Sequence, residues 1–355
     1  MLDKIFRLVS FDLGIDLGTT NTRVLVVGKG VAVREPTVVA RHKKTKEIVA
    51  VGAEAKRMIG RTPSQLEAIC ALKDGVISDF DAAVGLLSYY FRKLHESRGL
   101  NIKIPKPKVA LSIPTTVTDV ERKAVQDAAL AAGARQAYLI EQPLAAAIGA
   151  GLPIFKAAGA LMVNIGGGTT EMAIVSLGGI VLNKALRIAG DEMDEAIINY
   201  LRLKYSVLIG LPTAEVLKNE IGSASIDTSA DKSTKSESMM VVRGRDLATG
   251  LPRSIRVNAT EIREALSPLL NQIIGGISDI IEQSPPELLS DITQRGVFLY
   301  GGVAQLPGLA RLIAESTKVP CTVLEDPMNV VVRGCGQVLA DEELLQKVRV
   351  RGGVK

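Results

Sequence analysis

The sequence predicts an α/β protein made of two similar halves, and three observations carry that prediction. A Gly- and Thr-rich segment occurs twice, strands alternate with helices along the chain, and the length suffices for two domains. The first copy is Gly14-Ile15-Asp16-Leu17-Gly18-Thr19-Thr20-Asn21-Thr22, followed by the mostly apolar run 23–27. The second is Val163-Asn164-Ile165-Gly166-Gly167-Gly168-Thr169-Thr170, followed by 171–175. An offset of 148 residues sets Asp16 over Asn164, Gly18 over Gly166 and Thr22 over Thr170.

Each copy reads as an apolar strand, a polar or acidic residue, a Gly/Thr turn and a second strand. That pattern suits phosphate. Glycine removes the Cβ that would block a close backbone approach. Successive N–H groups can then cradle an anion, with Thr hydroxyls as further donors. A carboxylate at the strand end can hold the water shell of Mg²⁺. Neither copy is a P-loop, because the G-x-x-x-x-G-K-[ST] pattern is missing. Neither is a dinucleotide fingerprint, because a β-rich segment follows the turn where that motif needs a helix. A single hairpin could be an ordinary glycine turn. Two matching ones, one per half, imply two similar domains clamping a nucleotide.

The remaining elements follow in order. Leu2, Ile5, Phe6 and Val9 make an apolar stripe at helical spacing, opposed by Asp3, Lys4, Arg7 and Ser10. The stripe suits a short helix lying in a membrane interface, or a terminal helix packed on its own domain. Residues 109–114 read as a buried strand stopped by proline, 119–132 as a helix ended by Gly133, and 138–142 as a short strand. An Ala-rich helix opens at 144–149. Residues 223–238 are rich in Ser, Thr, Asp and Lys, so a loop in a lid-like subdomain or a plain surface insertion is expected. Gly244 and Gly250 read as turns. The strand 297–300 runs into Gly301-Gly302, which could admit a flat ligand or simply turn the chain. Residues 341–348 read as a final helix.

Composition narrows the function classes. The chain has 355 residues, 47% hydrophobic and 23% charged, a globular balance long enough for a large core. Trp is absent and aromatics are 3%, which argues against nucleic-acid binding by stacked bases. The formal charge of +5 permits attraction to anionic lipids or polyphosphates without requiring it. Cys70, Cys321 and Cys335 are widely spaced, so neither a disulfide framework nor a zinc site is indicated and a reducing cytosol is expected. His42 and His95 lie too far apart in sequence to indicate a histidine metal site. No apolar run reaches the ~18 residues of a membrane span, and Asp3, Lys4 and Arg7 interrupt any signal-peptide pattern.

These residues are similar to the actin/Hsp70/sugar-kinase ATPase superfamily and, within it, to the MreB-type bacterial actins. The resemblance covers 14–22, 52–63, 72–80, 140–153, 165–179, 187–198, 220–224, 242–252, 285–289 and 326–336. Lys73-Asp74-Gly75-Val76-Ile77 and Gly190-Asp191-Glu192-Met193-Asp194-Glu195 resemble the MreB-like branch specifically. It implies an actin-like ATPase fold, with two duplicated α/β domains around a nucleotide cleft, each with a smaller outer subdomain. The implied division is an amphipathic helix at 1–11, a first domain at 12–140 with outer subdomain about 33–75, and a second at 141–325 with outer subdomain about 183–250. A segment at 326–355 returns to the first. ATP and Mg²⁺ are the implied cofactors. Asp16 would organise Mg²⁺, with Asn164 acting through water. Gly18, Thr19, Thr20 and Asn21, with Gly166, Gly167, Gly168 and Thr169, would hold the phosphates. Gly190, Glu192, Glu215 and Lys218 would lie near the ribose and adenine, and Gly301, Gly302 and Val303 would pass the base. Glu141, Gln142 and Thr169 would serve hydrolysis. The family also implies homopolymeric filaments, cytoplasmic and peripheral on the inner membrane face through Leu2, Ile5, Phe6 and Val9. Those filaments would direct the cell-wall elongation machinery and rod shape.

Four residues depart from the family pattern. Asn164 stands where Asp is usual, Gln142 replaces the second Glu of a Glu-Glu-Pro, Thr20 replaces Ala and Val303 replaces the third Gly of a turn. Gln142 cannot take a proton but can orient water, as glutamine does in some nucleotide hydrolases, and actin is similar here. Asn164 removes a negative charge beside the metal and triphosphate. Val303 adds a side chain where the backbone would approach the base. The expectation is slow ATP hydrolysis coupled to assembly. The alternatives are a non-hydrolysing filament paralogue and a small-molecule kinase, for which no base or substrate pocket is assignable. An Hsp70-like chaperone is disfavoured by the lack of an appended peptide-binding domain.

Overall fold

The structure is a computed structural model that describes residues 10–96, 106–225 and 238–350. The stripe of Leu2, Ile5, Phe6 and Val9 and most of 223–238 lie outside the described residues.

The first half begins β1 (Leu13–Leu17), β2 (Asn21–Val26) and β3 (Gly30–Pro36). An outer segment follows: β4 (Val38–His42), β5 (Ile48–Val51), α1 (Ala53–Met58), β6 (Leu66–Cys70), β7 (Leu72–Lys73) and β8 (Val76–Ile77). The chain returns through α2 (Phe80–Glu96), β9 (Lys108–Ile113), α3 (Asp119–Ala131), β10 (Gln136–Glu141) and α4 (Gln142–Gly149). The second half begins β11 (Ala160–Ile165), β12 (Thr170–Ser176) and β13 (Gly179–Leu186). Its insertion holds α5 (Gly190–Tyr205), β14 (Val207–Leu208), α6 (Leu211–Ile221), β15 (Met239–Asp246), β16 (Pro252–Asn258), α7 (Ala259–Glu282) and α8 (Pro286–Arg295). Then come β17 (Val297–Tyr300), α9 (Leu309–Thr317), β18 (Cys321–Val323), α10 (Val330–Ala340) and α11 (Glu342–Val348).

The repeat seen in sequence is a repeat of topology. One sheet runs β3-β2-β1-β9-β10 and the other β13-β12-β11-β17-β18. In the first, β1 pairs antiparallel with β2 and parallel with β9, and β9 pairs parallel with β10. In the second, β17 is parallel to β11 and to β18. Each half therefore has a hairpin, an edge strand leading into an outer insertion, and two parallel strands. Contacts divide the chain into two compact units, 1–158 with 173–183 and 328–355, and 159–172 with 184–327.

Local sequence explains the elements that carry the site. β1 is central in its sheet and buried along its whole length, so side chains on both of its faces are covered, hence its nearly unbroken apolar run. α3 starts at a capping box: Glu121 N–H donates to Thr118 Oγ1 at 3.3 Å, and Thr118 N–H donates to Glu121 Oε2 at 2.7 Å. Pro143 sits in the first turn of α4, where its missing N–H costs no bond. α4 and α10 cross at glycines. A Cβ on Gly149 would lie 2.0 Å from Val330 O, and one on Gly334 would lie 1.8 Å from Ala145 O. His95 is buried and fixes the entry to β1: its Nε2 accepts from Phe11 N–H at 2.9 Å and its Nδ1 lies 2.6 Å from Phe91 O. Nδ1 therefore carries the proton.

Gly244 corrects an expectation. It lies inside β15, opposite Arg253, and makes no turn. It is glycine because a Cβ there would come within 2.5 Å of Val207 and 2.6 Å of Leu208 O in β14. Gly250, at φ +74°, does turn the chain between β15 and β16.

Candidate nucleotide site

In the first unit, the carboxyl ends of parallel strands gather the predicted residues at one edge of the sheet, where open α/β sheets bind ligands. Asp16 lies at the end of β1, level with Ser112 of β9 and Ile140 of β10. Glu141 and Gln142 follow, at the step from β10 into α4. Ser112 Oγ donates to Asp16 Oδ1 at 2.7 Å, and Arg23 stands 3.8 Å from Oδ2. Asp16 is only 7% exposed. Burial pushes its carboxyl above the usual range, against the pull of Arg23 and Ser112. Burial also raises Glu141, offset in part by Arg122.

The turn after β1 is tightly drawn. A Cβ on Gly18 would lie 2.7 Å from Asn21 O. Thr37 holds the turn from outside, donating its hydroxyl to Gly18 O at 2.6 Å and its N–H to Thr20 O at 2.9 Å. Thr19 Oγ1 accepts from Gly75 N–H at 2.9 Å.

The second unit repeats the arrangement with Asn164 at the end of β11, opposite Tyr300 of β17. Gly166 N–H donates to Thr169 O at 3.0 Å, closing the turn. Gly190 N–H donates to Gly166 O at 3.1 Å and Asp191 N–H to Gly167 O at 2.8 Å, so the first turn of α5 abuts the glycine turn. The ideal Cβ position of Gly190 lies 3.2 Å from Gly166 O and 3.3 Å from both Lys218 Nζ and Val303 Cγ2. These predicted residues therefore meet. Gly301, at φ +93°, lies over Ile165 and Asn164, and a Cβ there would fall 2.4 Å from Asn164 Oδ1.

Two predicted side chains are engaged within their own unit. Glu192 Oε2 accepts from Ala189 N–H at 2.9 Å as a cap of α5. Lys218 donates to Gly190 O at 2.6 Å and pairs with Asp194 at 2.8 Å. Asp194 is pushed up to about 6 by burial, with Lys218 pulling down and Glu215 and Asp191 pushing up. Ser112, Arg23, Thr37 and Asp194 did not emerge from the sequence as site residues. Asp194 stands four residues after Gly190, one helical turn on, within the segment 190–195 that resembles the MreB-like branch.

Taken unit by unit, the glycine turns suit a phosphate, and Asp16 of the first unit suits a hydrated metal ion. Each glycine turn lies at strand carboxyl ends and folds back on itself, with the ideal Cβ position of Gly18 at 2.7 Å from Asn21 O and that of Gly166 at 3.3 Å from Thr169 O. Asp16 is a buried carboxylate whose charge is incompletely offset, suited to a cation that keeps its water. Among the described residues no cluster of three or more His, Cys, Asp or Glu side chains forms a protein-only metal cage.

Known proteins share this architecture. The cell shape-determining protein MreB of Escherichia coli strain K12 is 47% identical over 343 residues, covering 96% of each chain. The cell shape-determining protein Mbl of Bacillus subtilis strain 168 is 43% identical over 336 residues, covering 95% of this chain and 98% of that one. Crystal structures of MreB5 of Spiroplasma citri bound to ADP and to AMPPNP superpose with TM-score 0.86 at 32% identity, covering 96% of this chain and 98% of theirs. The MamK double helical filament shares the fold, with TM-score 0.75 at 22% identity over 94% of this chain and 99% of that one. The MreB/Mbl protein family model matches residues 10–347. By sequence and by its actin-like fold, this chain belongs to the MreB/Mbl family.

Proposed function

We propose that the chain is an ATP-binding cytoskeletal protein that polymerises into filaments and determines cell shape. The observation that carries the reading is the duplicated hairpin, with its glycine turns at the carboxyl ends of two topologically matching sheets. Support comes from the MreB and Mbl relatives, known as cell shape-determining, and from MreB5, a family member bound to ADP and AMPPNP.

Bound ATP supplies a γ-phosphoryl group that water can accept. The residues 18–21 and 166–169 bind and orient the phosphates through backbone amides. Asp16, oriented by Ser112, and Asn164 are the residues that would hold Mg²⁺, which would offset charge on the phosphates. Gln142, buried at the start of α4, orients the attacking water without taking its proton. Glu141 and Thr169 complete the polar surround. Gly301, Gly302 and Val303, with Glu192, Glu215 and Lys218, border the nucleoside. The amide at Gln142 and the missing charge at Asn164 make hydrolysis slow, and the γ-phosphate favours the assembling state. A non-hydrolysing filament is the second reading, favoured by the same two residues.

The stripe of Leu2, Ile5, Phe6 and Val9 attaches the polymer to the inner membrane surface, where many weak copies add in avidity. There the filament guides the cell-wall elongation machinery. No helix among the described residues is long and apolar enough to cross a membrane.

Sedimentation with ATP, ADP or no nucleotide tests the assembly. ATP-dependent pelleting is expected, and phosphate transfer to small acceptors without pelleting would favour a kinase. Electron microscopy on anionic liposomes tests attachment, which Phe6→Asp should abolish. Phosphate release at fixed polymer mass tests the slow step. Gln142→Glu and Asn164→Asp should each raise it by about tenfold, whereas unchanged rates would remove these residues from the mechanism.

A further inference from the structure

We infer that Thr22 and Thr170 are positioning residues that preset the amides of the two glycine turns for phosphate. The inference rests on the nucleotide-binding reading above and adds the groups that hold its phosphate contacts in place. The two threonines are repeat equivalents, yet neither lies within the phosphate-binding turns themselves. Both are fully buried, at 0% exposure. A polar hydroxyl enclosed at that depth needs a partner, and each has one.

Thr22 Oγ1 lies 2.9 Å from Thr37 Oγ1. The Thr37 hydroxyl has one proton, and it goes to Gly18 O at 2.6 Å. Thr22 must therefore be the donor, and a directed relay runs from Thr22 through Thr37 to the turn. Thr37 N–H takes the second carbonyl, Thr20 O, at 2.9 Å. In a trans peptide the C=O and the next N–H point in opposite directions. Pinning Gly18 O and Thr20 O from the Thr37 side thus aims the amides of Thr19 and Asn21 away from it.

The second half reaches the same end with different groups. The Thr170 hydroxyl donates to Ile188 O at 2.6 Å. That anchors the segment leading into α5, whose Gly190 and Asp191 amides pin Gly166 O and Gly167 O. The N–H groups of Gly167 and Gly168 are aimed accordingly. In each half, a return-strand threonine anchors the chain leaving the edge strand, and that chain fixes the carbonyls of the turn. Pre-aimed dipoles avoid a reorganisation cost when the anion binds.

The test uses the full chain and a fluorescent ATP analogue with Mg²⁺. Dissociation constants and nucleotide-free melting temperatures are measured for Thr22→Val, Thr170→Val, Thr22→Ser and Thr170→Ser. The valine variants should bind about tenfold or more weakly, and the serine variants within about threefold of wild type. Ser284→Ala deletes another buried hydroxyl, one that donates to Ile280 O at 2.7 Å, and should lower melting with no change in affinity. Should a valine variant fail to fold, Thr→Cys at the same position keeps a weak donor, and a loss of about threefold is expected. Valine variants that melt lower but bind as wild type would overturn the positioning role. A wild type that does not bind the analogue would overturn the nucleotide reading itself.

Discussion

At the scale of single residues, electrostatic cost and close approach define the site. Asp194 is buried beside Lys218, with a folded-state pKa of about 6. That lies above the unfolded value, so its contribution to stability is fully present below about pH 4 and is lost as the pH rises through about 6. Wild type should lose on the order of 2 kcal/mol relative to Asp194→Asn between pH 4 and 7. Urea denaturation at several pH values checks this, and a difference of the opposite slope would contradict it. Gly18 gives a steric counterpart. Its added Cβ would meet a backbone oxygen that cannot swing aside, so Gly18→Ala should cost about 1–3 kcal/mol and weaken ATP binding, measured by calorimetry. The two glycine turns were legible in sequence because each copy sets a Gly/Thr run between two apolar strands. Their supports were not. Ser112 lies 96 residues from Asp16, and no single sequence fixes the register between strands that distant.

At the scale of elements, glycines set how closely helices and strands approach. Gly149 and Gly334 let α4 and α10 touch backbone to backbone. Gly334→Ala would drive a methyl into Ala145 O, and a loss of about 3 kcal/mol or more is expected in thermal or chemical unfolding. A neutral result would mean that the helices can slide apart freely. The end of α3 was legible because Gly133 is a local signal, and its start rests on the Thr118–Glu121 box, contained in four consecutive residues. The role of Gly244 was not legible. Glycine marks turns and strand interiors alike, and only the packing of β14 against β15 decides between them. The outer insertion of the first half depends on a similarly distant contact. Arg41 of β4 makes paired bonds of 2.8 and 2.6 Å to Asp79, just before α2, a geometry invisible from either segment alone.

At the scale of the whole molecule, one duplicated plan organises the chain. Both sheets repeat a strand order in which the hairpin comes first and the parallel strands follow an insertion. The division into two such sheets was foreshadowed by the repeat, because each strand–turn–strand copy opens one half of the chain. The contents of the insertions were not foreshadowed, since they share no repeat. Replacing Gly18 and Gly166 together by Ala should abolish ATP-dependent pelleting, while either change alone should leave part of it. Equal pelleting by the double variant would show that the turns are dispensable for assembly. The most direct measurement is a crystal structure with a non-hydrolysable ATP analogue and Mg²⁺. The expected result is phosphate oxygens on the amides of both glycine turns, with the metal's water shell on Asp16. Phosphates bound to one turn alone, or lodged away from both, would contradict the central claim.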